Sequence, residues 1–190
     1  MGKRILFLLF VSVVFISCAS TKNVLDETIK EKNITKEKLN FHDYKTYDQN
    51  GNILFEKWND GFECEYYYNE DGELISSKQN TGITTVYQRI DEYNVIENWS
   101  NGMQILNVYD NNKNLLIQFF SETLYIEFFF DSNGKETHFI SSSGNTSWNY
   151  YNNDGLLNYR KDSKGNEYFY EYEFYPDNKI KKRTSYIYKK

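Results

Sequence analysis

The segment Tyr68-Asn69-Glu70-Asp71-Gly72-Glu73-Leu74-Ile75 decides how this chain folds, because the chain repeats its pattern. An aromatic residue is followed by Asn or Asp, by Gly four residues after the aromatic, and then by apolar residues. Copies begin, in chain order, at Tyr47, Tyr68, Arg89, Tyr109, Phe130, Tyr151 and Tyr175. The spacing is 20 or 21 residues, except for 24 before the last and most degenerate copy. Such a fixed period predicts a repeat architecture.

A second glycine recurs ten residues after the first in four units, at Gly61, Gly82, Gly144 and Gly165. Glycine takes the positive φ that other residues avoid, and Asn or Asp before it can bond its own backbone. Such clusters are typical of hairpin loops of about three to five residues, often with a glycine bulge. The residues between the turns are mainly aromatic, β-branched and polar. Each unit therefore predicts two antiparallel strands and two tight turns.

The predicted fold is all-β, a repetitive antiparallel β-meander of about a dozen strands over residues 41–190. The 18 Tyr and 14 Phe residues favour strands. Both faces carry apolar side chains, so we expect an open sheet that twists and coils. The pattern does not decide whether the sheet closes on itself. The lysine-rich segment 179–190 is expected to guard a sheet edge rather than to bind nucleic acid.

The first residues have the features of a targeting segment. Lys3 and Arg4 precede a mostly apolar run over residues 5–16, which is too short to span a bilayer. The run leads into Phe15-Ile16-Ser17-Cys18, which resembles the lipobox of a bacterial lipoprotein signal, although its first two residues depart from the usual Leu and small residue. The resemblance implies a signal peptide over residues 1–17 and lipid attachment, including palmitate, at Cys18. An ordinary secretory signal with an incidental cysteine is the alternative.

Residues 18–40 differ in character from the repeats. Charges of alternating sign dominate, and no aromatic residue occurs between Cys18 and Phe41. We therefore expect a solvated, lipidated tether, with at most a short helix, that holds the domain at residues 41–190 away from the membrane. The residues that follow Cys18, Ala19 and Ser20, lack the Asp associated with inner-membrane retention, which favours the outer membrane or cell surface.

The Tyr-Asp-x-x-Gly phrase and its second glycine resemble the YD repeat of RHS-type proteins, over residues 45–180. A close cousin is the MORN-like variant repeat of antitoxin-type proteins. Large RHS proteins use such repeats as a shell around a toxin, but this chain has too few repeats for that. The resemblance implies a β-scaffold with a binding surface rather than an activity.

No pattern of catalytic or metal-binding residues is evident. The two histidines, His42 and His138, belong to no metal or triad spacing, and Cys64 lies between two Glu residues with no nearby cation to activate it. The Asp48–Asn52 loop has its glycine at the wrong position for an EF-hand calcium loop. The sequence thus predicts no catalysis, no cofactor and no metal. A net charge of −5 argues against nucleic acid as a partner.

The three tryptophans, Trp58, Trp99 and Trp148, suggest an aromatic binding face for a protein or a glycan. Mutual packing of the aromatic residues is the alternative. The function expected from the sequence is a membrane-anchored envelope lipoprotein with a β-repeat binding or scaffold module. Two other functions remain open: an antitoxin or immunity-type protein that binds a toxin, and a carbohydrate-binding or carbohydrate-active surface protein. A glycosidase would need two carboxylates about 5–10 Å apart.

Overall fold

The computed structural model of the protein describes residues 24–188. The predicted signal peptide at residues 1–17 and the predicted lipid attachment at Cys18 lie outside this range. The described chain begins with helix α1 at Val24–Glu31 and a 3-10 helix at Lys36–Lys38. The strands are β1 Asn40–Tyr47, β2 Ile53–Trp58, β3 Glu63–Tyr68, β4 Leu74–Gln79, β5 Thr84–Arg89, β6 Asn94–Trp99, β7 Gln104–Tyr109, β8 Leu115–Phe119, β9 Tyr125–Phe130, β10 Glu136–Ser141, β11 Thr146–Tyr151, β12 Leu157–Asp162, β13 Glu167–Phe174 and β14 Ile180–Tyr188. The all-β antiparallel meander is confirmed, with 14 strands.

The expectation of an open sheet is wrong, because the sheet closes into a barrel. Strand β1 pairs with both β2 and β14, and its register with β14 runs from Asn40 opposite Ile187 to Thr46 opposite Lys182. Strand twist accumulates over a long meander, and here it brings the first and last strands together. Strand β14 is therefore not an edge. Lys182 was expected to protect a sheet edge from pairing. Its Nζ instead contacts Glu173 Oε1 on the neighbouring strand, at 3.2 Å.

The hairpin turns are built as the repeat predicts. In the β1–β2 turn, Asp48 Oδ1 accepts the backbone N–H groups of Asn50 and Asn52 at 2.8 and 2.9 Å, and Gly51 has φ of 90°. The residue in the glycine position of the fourth unit, Lys113, also adopts a positive φ, of 64°. In the last unit Asn178, rather than Lys179, has the positive φ. The turn there begins at the aromatic residue Tyr175 itself and not at the residue after it, because the Asn178 N–H bonds to the Tyr175 carbonyl.

The meander order places the two glycine series of the repeat at opposite rims of the barrel. Turns with the first glycine, such as Gly51 and Gly72, connect odd-numbered strands to the strands that follow them. Turns with the second glycine, such as Gly61 and Gly165, connect even-numbered strands to the next strand and form the other rim. One repeat thus supplies one turn to each rim.

Tyrosines at repeated positions connect several hairpins to the preceding hairpin. The hydroxyls of Tyr68, Tyr151 and Tyr172 each donate to a backbone carbonyl 15 residues earlier, at 2.7 to 2.9 Å. The same type of bond crosses the closing seam, where Tyr175 donates to the carbonyl oxygen of Tyr47 at 2.8 Å. The phenolic hydroxyl therefore has a structural use at these positions that phenylalanine could not supply.

The inner wall of the barrel is polar. Cross-strand partners share a face of a sheet, and the register connects Ser185 to Asp43, and Cys64 to Gln79, on the inside. The buried polar or charged residues on this wall are Asp43, Glu56, Ser77, Gln79, Thr85, Glu97, Asn107, Ser147 and Ser185. The barrel is thus not organised around an apolar interior.

The apolar core lies outside the barrel, beneath helix α1. Leu25 and Ile29 pack against Tyr159 of β12 and Phe169 of β13, and both Leu25 and Phe169 are fully buried. The buried positions 24, 25, 28 and 29 form one stripe of a helix. Part of the segment expected to be a solvated tether is therefore docked on the barrel. No helix within residues 24–188 has the length and apolarity that crossing a membrane would require.

Candidate functional site: a cationic cavity at one mouth of the barrel

A cavity of about 410 Å³ opens at the rim that carries the β2–β3, β10–β11 and β12–β13 turns. We call it the mouth cavity. Its lining includes Asp43, Lys45, Arg160, Tyr170, Arg183 and Ser185, and three aromatic side chains near the strand ends form its rim: His42, Trp58 and Tyr168. Because β1, β12, β13 and β14 contribute most of these residues, the cavity depends on closure of the barrel. Its size falls in the range typical of small-molecule sites.

Lys45 and Asp43 of the cavity lining have partners in the barrel wall. Lys45 Nζ contacts Glu56 Oε2 at 2.8 Å, and Tyr66 donates its hydroxyl to the other oxygen of Glu56 at 2.5 Å. Burial alone would raise the pKa of the Glu56 carboxyl, but Lys45, Tyr66 and Trp58 together outweigh burial, and the pKa is lowered. The Asp43 carboxylate accepts a hydrogen bond from the Ser185 hydroxyl. These contacts hold β1, β2, β3 and β14 in register around the cavity.

The two arginines of the cavity differ in their partners. Arg160 donates from Nε to Asn149 Oδ1 at 2.7 Å, and its terminal nitrogen lies 4.0 Å from Glu136 Oε1. Arg183 Nε is buried and has no hydrogen-bond partner among residues 24–188. Its guanidinium carbon lies 5.4 Å from the centre of the Tyr170 ring. Buried hydrogen-bond donors are rarely left unpaired in proteins, so Arg183 stands out.

Aromatic side chains surround the entrance. The ring of His42 lies 5.3 Å from that of Trp58 and 5.2 Å from that of Tyr168, measured between ring centres. Trp58 remains 36% exposed. Rings grouped this way offer flat apolar faces to an entering ligand, and the polar edges of His42 and Tyr168 lie beside them.

The three tryptophans do not form one binding face. Trp58 lies at the mouth cavity, whereas Trp99 lies on the inner wall and donates its Nε1–H to Glu97 Oε2 at 3.1 Å. Trp148 is 40% exposed on the outer surface of β11, opposite His138 of β10. His138 in turn stacks on Phe129, with ring centres 4.3 Å apart. The mutual packing of aromatic residues that the sequence left open is thus found at several places.

The other residues that the sequence suggested for catalysis or metal binding have structural roles. Cys64 is buried on the inner wall, where burial raises the pKa of its thiol. Asp48 supports its turn through backbone N–H groups, as do Asp110 and Asp131 in theirs. Within residues 24–188, no group of three His, Cys, Asp or Glu side chains is arranged to hold a metal ion.

Arg160 and Arg183 were not anticipated from the sequence. The basic residues of the last segment suggested an edge strand, and only closure of the barrel turns Arg183 inward. A usable signal exists in the alternation of β14, where Arg183 and Ser185 share a face and the apolar Ile187 follows at the next position of that face.

A second cavity, of about 510 Å³, lies at the opposite rim, near Gly72 and Lys113. Its arginine, Arg89, is already paired, with Nε 3.3 Å from Glu73 Oε1. Acidic residues outnumber basic residues in its lining. The mouth cavity is therefore the stronger candidate for a binding site.

No protein-family model matches this chain, and no curated protein matches it. Among solved structures, the crystal structure of TcdB2-TccC3 is 12% identical over 68% of this chain and 10% of that chain, with a TM-score of 0.30. The TcdB2-TccC3-Cdc42 structure is 14% identical over 83% of this chain and 12% of that chain, with a TM-score of 0.27. A Photorhabdus luminescens Tc holotoxin pore is 13% identical over 83% and 11%, with a TM-score of 0.25. The chain spans about a tenth of the length of these proteins.

Proposed function

We propose that this protein is an envelope lipoprotein whose closed β-repeat barrel is a non-catalytic binding module. The observation that carries the proposal is the mouth cavity, an open recess with an aromatic rim and an unpaired buried donor on Arg183. Concave sites with a few convergent polar groups are the usual form of a ligand site. The carboxylates that line the cavity serve the fold, because Asp43 is bonded to Ser185 and Asp162 accepts backbone N–H groups of its turn.

The binding role is tested by NMR on the soluble domain, residues 24–190. A low-molecular-mass saccharide and peptide fraction of the bacterial envelope is added to ¹⁵N-labelled protein. We expect shifts to cluster at amides around the mouth cavity, such as those of Tyr168 and Arg183, with no change in the mass spectrum of the added fraction. A spectrum without shifts at the cavity contradicts the binding role, and conversion of a component of the fraction contradicts the non-catalytic part.

The lipid anchor at Cys18 remains a proposal supported by the residues 15–18 pattern. Labelling of cells with radioactive palmitate tests it. Cys18→Ser is expected to abolish the label and to release the protein from the membrane fraction. Cys64→Ser is the matched control, because Cys64 is buried in the barrel wall and should not affect labelling. Label that persists in Cys18→Ser contradicts the anchor.

A second candidate function, that of an immunity-type protein, is favoured by one surface. Phe129 of β9 and Trp148 and Tyr150 of β11 are exposed by 37%, 40% and 48% on the outer surface, with β10 between the two strands. Exposed aromatic side chains of this kind are typical anchors of protein–protein interfaces. Co-expression with the product of a neighbouring toxin gene tests this function. Protection that is lost in Trp148→Ala but kept in Arg183→Met would favour it over ligand binding at the mouth cavity.

A further inference from the structure

Arg183 is an unpaired cation in a confined place. Its neighbour across the seam, Lys45, is paired with Glu56, whereas Arg183 takes part in none of the ion pairs found among residues 24–188. Burial alone would lower the pKa of Arg183. The nearby tyrosines and Asp43 outweigh burial, so the pKa is raised and the guanidinium stays charged. A buried charge without a hydrogen-bonded partner is costly for the fold. An incoming anion would supply that partner.

The side chains that line the mouth cavity include more cations than anions, although the whole chain is acidic, and two of these cations, Lys45 and Arg160, contact Glu56 and Glu136 outside the lining. Four cationic side chains and two anionic ones line the cavity: Lys45, Arg160, Lys164 and Arg183 against Asp43 and Asp162. The chain as a whole has a net charge of −5. Lys164 and Arg183 form no ion pair among residues 24–188, and low-dielectric walls strengthen the attraction of such cations for an entering anion. The planar guanidinium of Arg183 matches a carboxylate in shape, because both groups can form two parallel hydrogen bonds.

The rim sets the shape of the rest of the ligand. Trp58 lies opposite Asp43 in the barrel register, and Arg183 lies opposite Lys45, two residues further along β1. Strand geometry places these levels roughly 7 Å apart. That distance suits a single sugar ring that lies against the rim and carries a carboxylate on its far side. The hydroxyl and amide groups at the entrance, from Asn145, Thr146 and Ser163, suit the hydroxyls of such a ring.

We propose that the mouth cavity binds an acidic monosaccharide of the uronic acid class, with its carboxylate on Arg183 and its ring against His42, Trp58 and Tyr168. The inference rests on the proposed function of the barrel as a binding module and names the ligand class for that site. Binding requires no chemical step.

The test is isothermal titration and ¹⁵N NMR of the soluble domain, residues 24–190, with glucuronic acid, galacturonic acid, glucose, glucose 6-phosphate and inorganic phosphate. A uronic acid is expected to bind at least about tenfold more tightly than glucose, because charged hydrogen bonds to a buried arginine contribute that much. Inorganic phosphate is expected to bind more weakly than the uronic acid, since it makes no contact with the rim. Equal binding of glucose, equal or tighter binding of either phosphate compound, or no binding of both uronic acids overturns the inference.

Variants separate the two halves of the site. Arg183→Met is expected to weaken uronic acid binding about tenfold or more. Trp58→Ala is expected to weaken uronic acid binding without changing the affinity for phosphate. Arg89→Met is the matched control, because Arg89 is the paired arginine of the opposite cavity and its loss should leave the affinity unchanged. Unchanged binding in Arg183→Met overturns the assignment of the carboxylate.

If Arg183→Met does not fold, as judged by loss of NMR dispersion, Arg183→Lys is used as the test variant instead. It keeps the charge but loses the planar fork, so intermediate affinity is expected, and wild-type affinity overturns the assignment. The inference and the proposed function fail separately. If the envelope fraction shifts amides at the mouth cavity but neither uronic acid does, the ligand class is wrong and the binding role stands.

Discussion

Leu25→Ala is expected to release helix α1 from the barrel. Leu25 is fully buried against Tyr159 and Phe169. Truncation of such a leucine costs about 2–5 kcal/mol, and the lower part of that range, about 2–3 kcal/mol, applies here because the site lies on the outer surface and can partly collapse. An isolated helix of eight residues is not stable in water, so its hydrogen bonds depend on this packing.

Native-state hydrogen exchange measures the effect directly. The amides of Ile29 in α1 and of Lys32 just after it are expected to exchange about 30- to 150-fold faster in Leu25→Ala, which corresponds to the loss of about 2–3 kcal/mol. Val86→Ala is the matched control, because Val86 is 57% exposed on β5 and its truncation should change stability by less than about 0.5 kcal/mol. Unchanged exchange in α1 would refute the docking of this helix, and equal acceleration across all strands would refute its independence from the barrel.

Three further changes test other parts of the structure. Asp110 has a lowered pKa because the side chain and backbone N–H of Asn114 bond to it, so the stability it contributes is present above about pH 4 and is lost as the pH falls through the lowered folded-state pKa. The urea midpoint of Asp110→Asn, measured between pH 2 and 7, should therefore depend less on pH over the acid range than that of the wild type. Parallel pH profiles of the two proteins would contradict this. Tyr175→Phe should lower the unfolding free energy by about 0.5–1.5 kcal/mol, because the bond to the Tyr47 carbonyl across the seam is lost; an unchanged urea midpoint would contradict it. Cys64 is buried and its pKa is raised, so a thiol reagent at neutral pH should modify it in urea but not in the native protein, and rapid native modification would refute its placement.

The hairpins could be predicted because their causes are local. An Asx side chain and a glycine within five residues determine each turn, and the Asp48 and Asn152 turns bear out that reasoning. The register shifts lie beside the repeated aromatic residue, as at Tyr68 and Tyr151, where the following strand has one extra residue, Ile75 or Asn158. The weaker third unit still turns without a glycine, because the Asp91 carboxylate accepts the backbone N–H groups of Tyr93 and Asn94.

Closure of the barrel could not be predicted in the same way. It depends on the twist summed over all strands and on contacts between residues more than 100 positions apart, such as Tyr175 with Tyr47. The mouth cavity follows from that closure, so Arg183 could not be assigned to it from local pattern. The docking of helix α1 was missed for a related reason, since Leu25 and Ile29 pack against distant residues of the chain, Tyr159 and Phe169.

Closure between β1 and β14 is the central claim, because the mouth cavity exists only if these strands meet. Backbone nuclear Overhauser effects measured on residues 24–190 test it most directly. Cross-strand effects are expected between Lys45 and Arg183 and between Tyr44 and Thr184, in the antiparallel register. The absence of these effects, together with rapid exchange of the β1 amides that face β14, would show an open sheet edge. That result would contradict both the barrel and the proposed site.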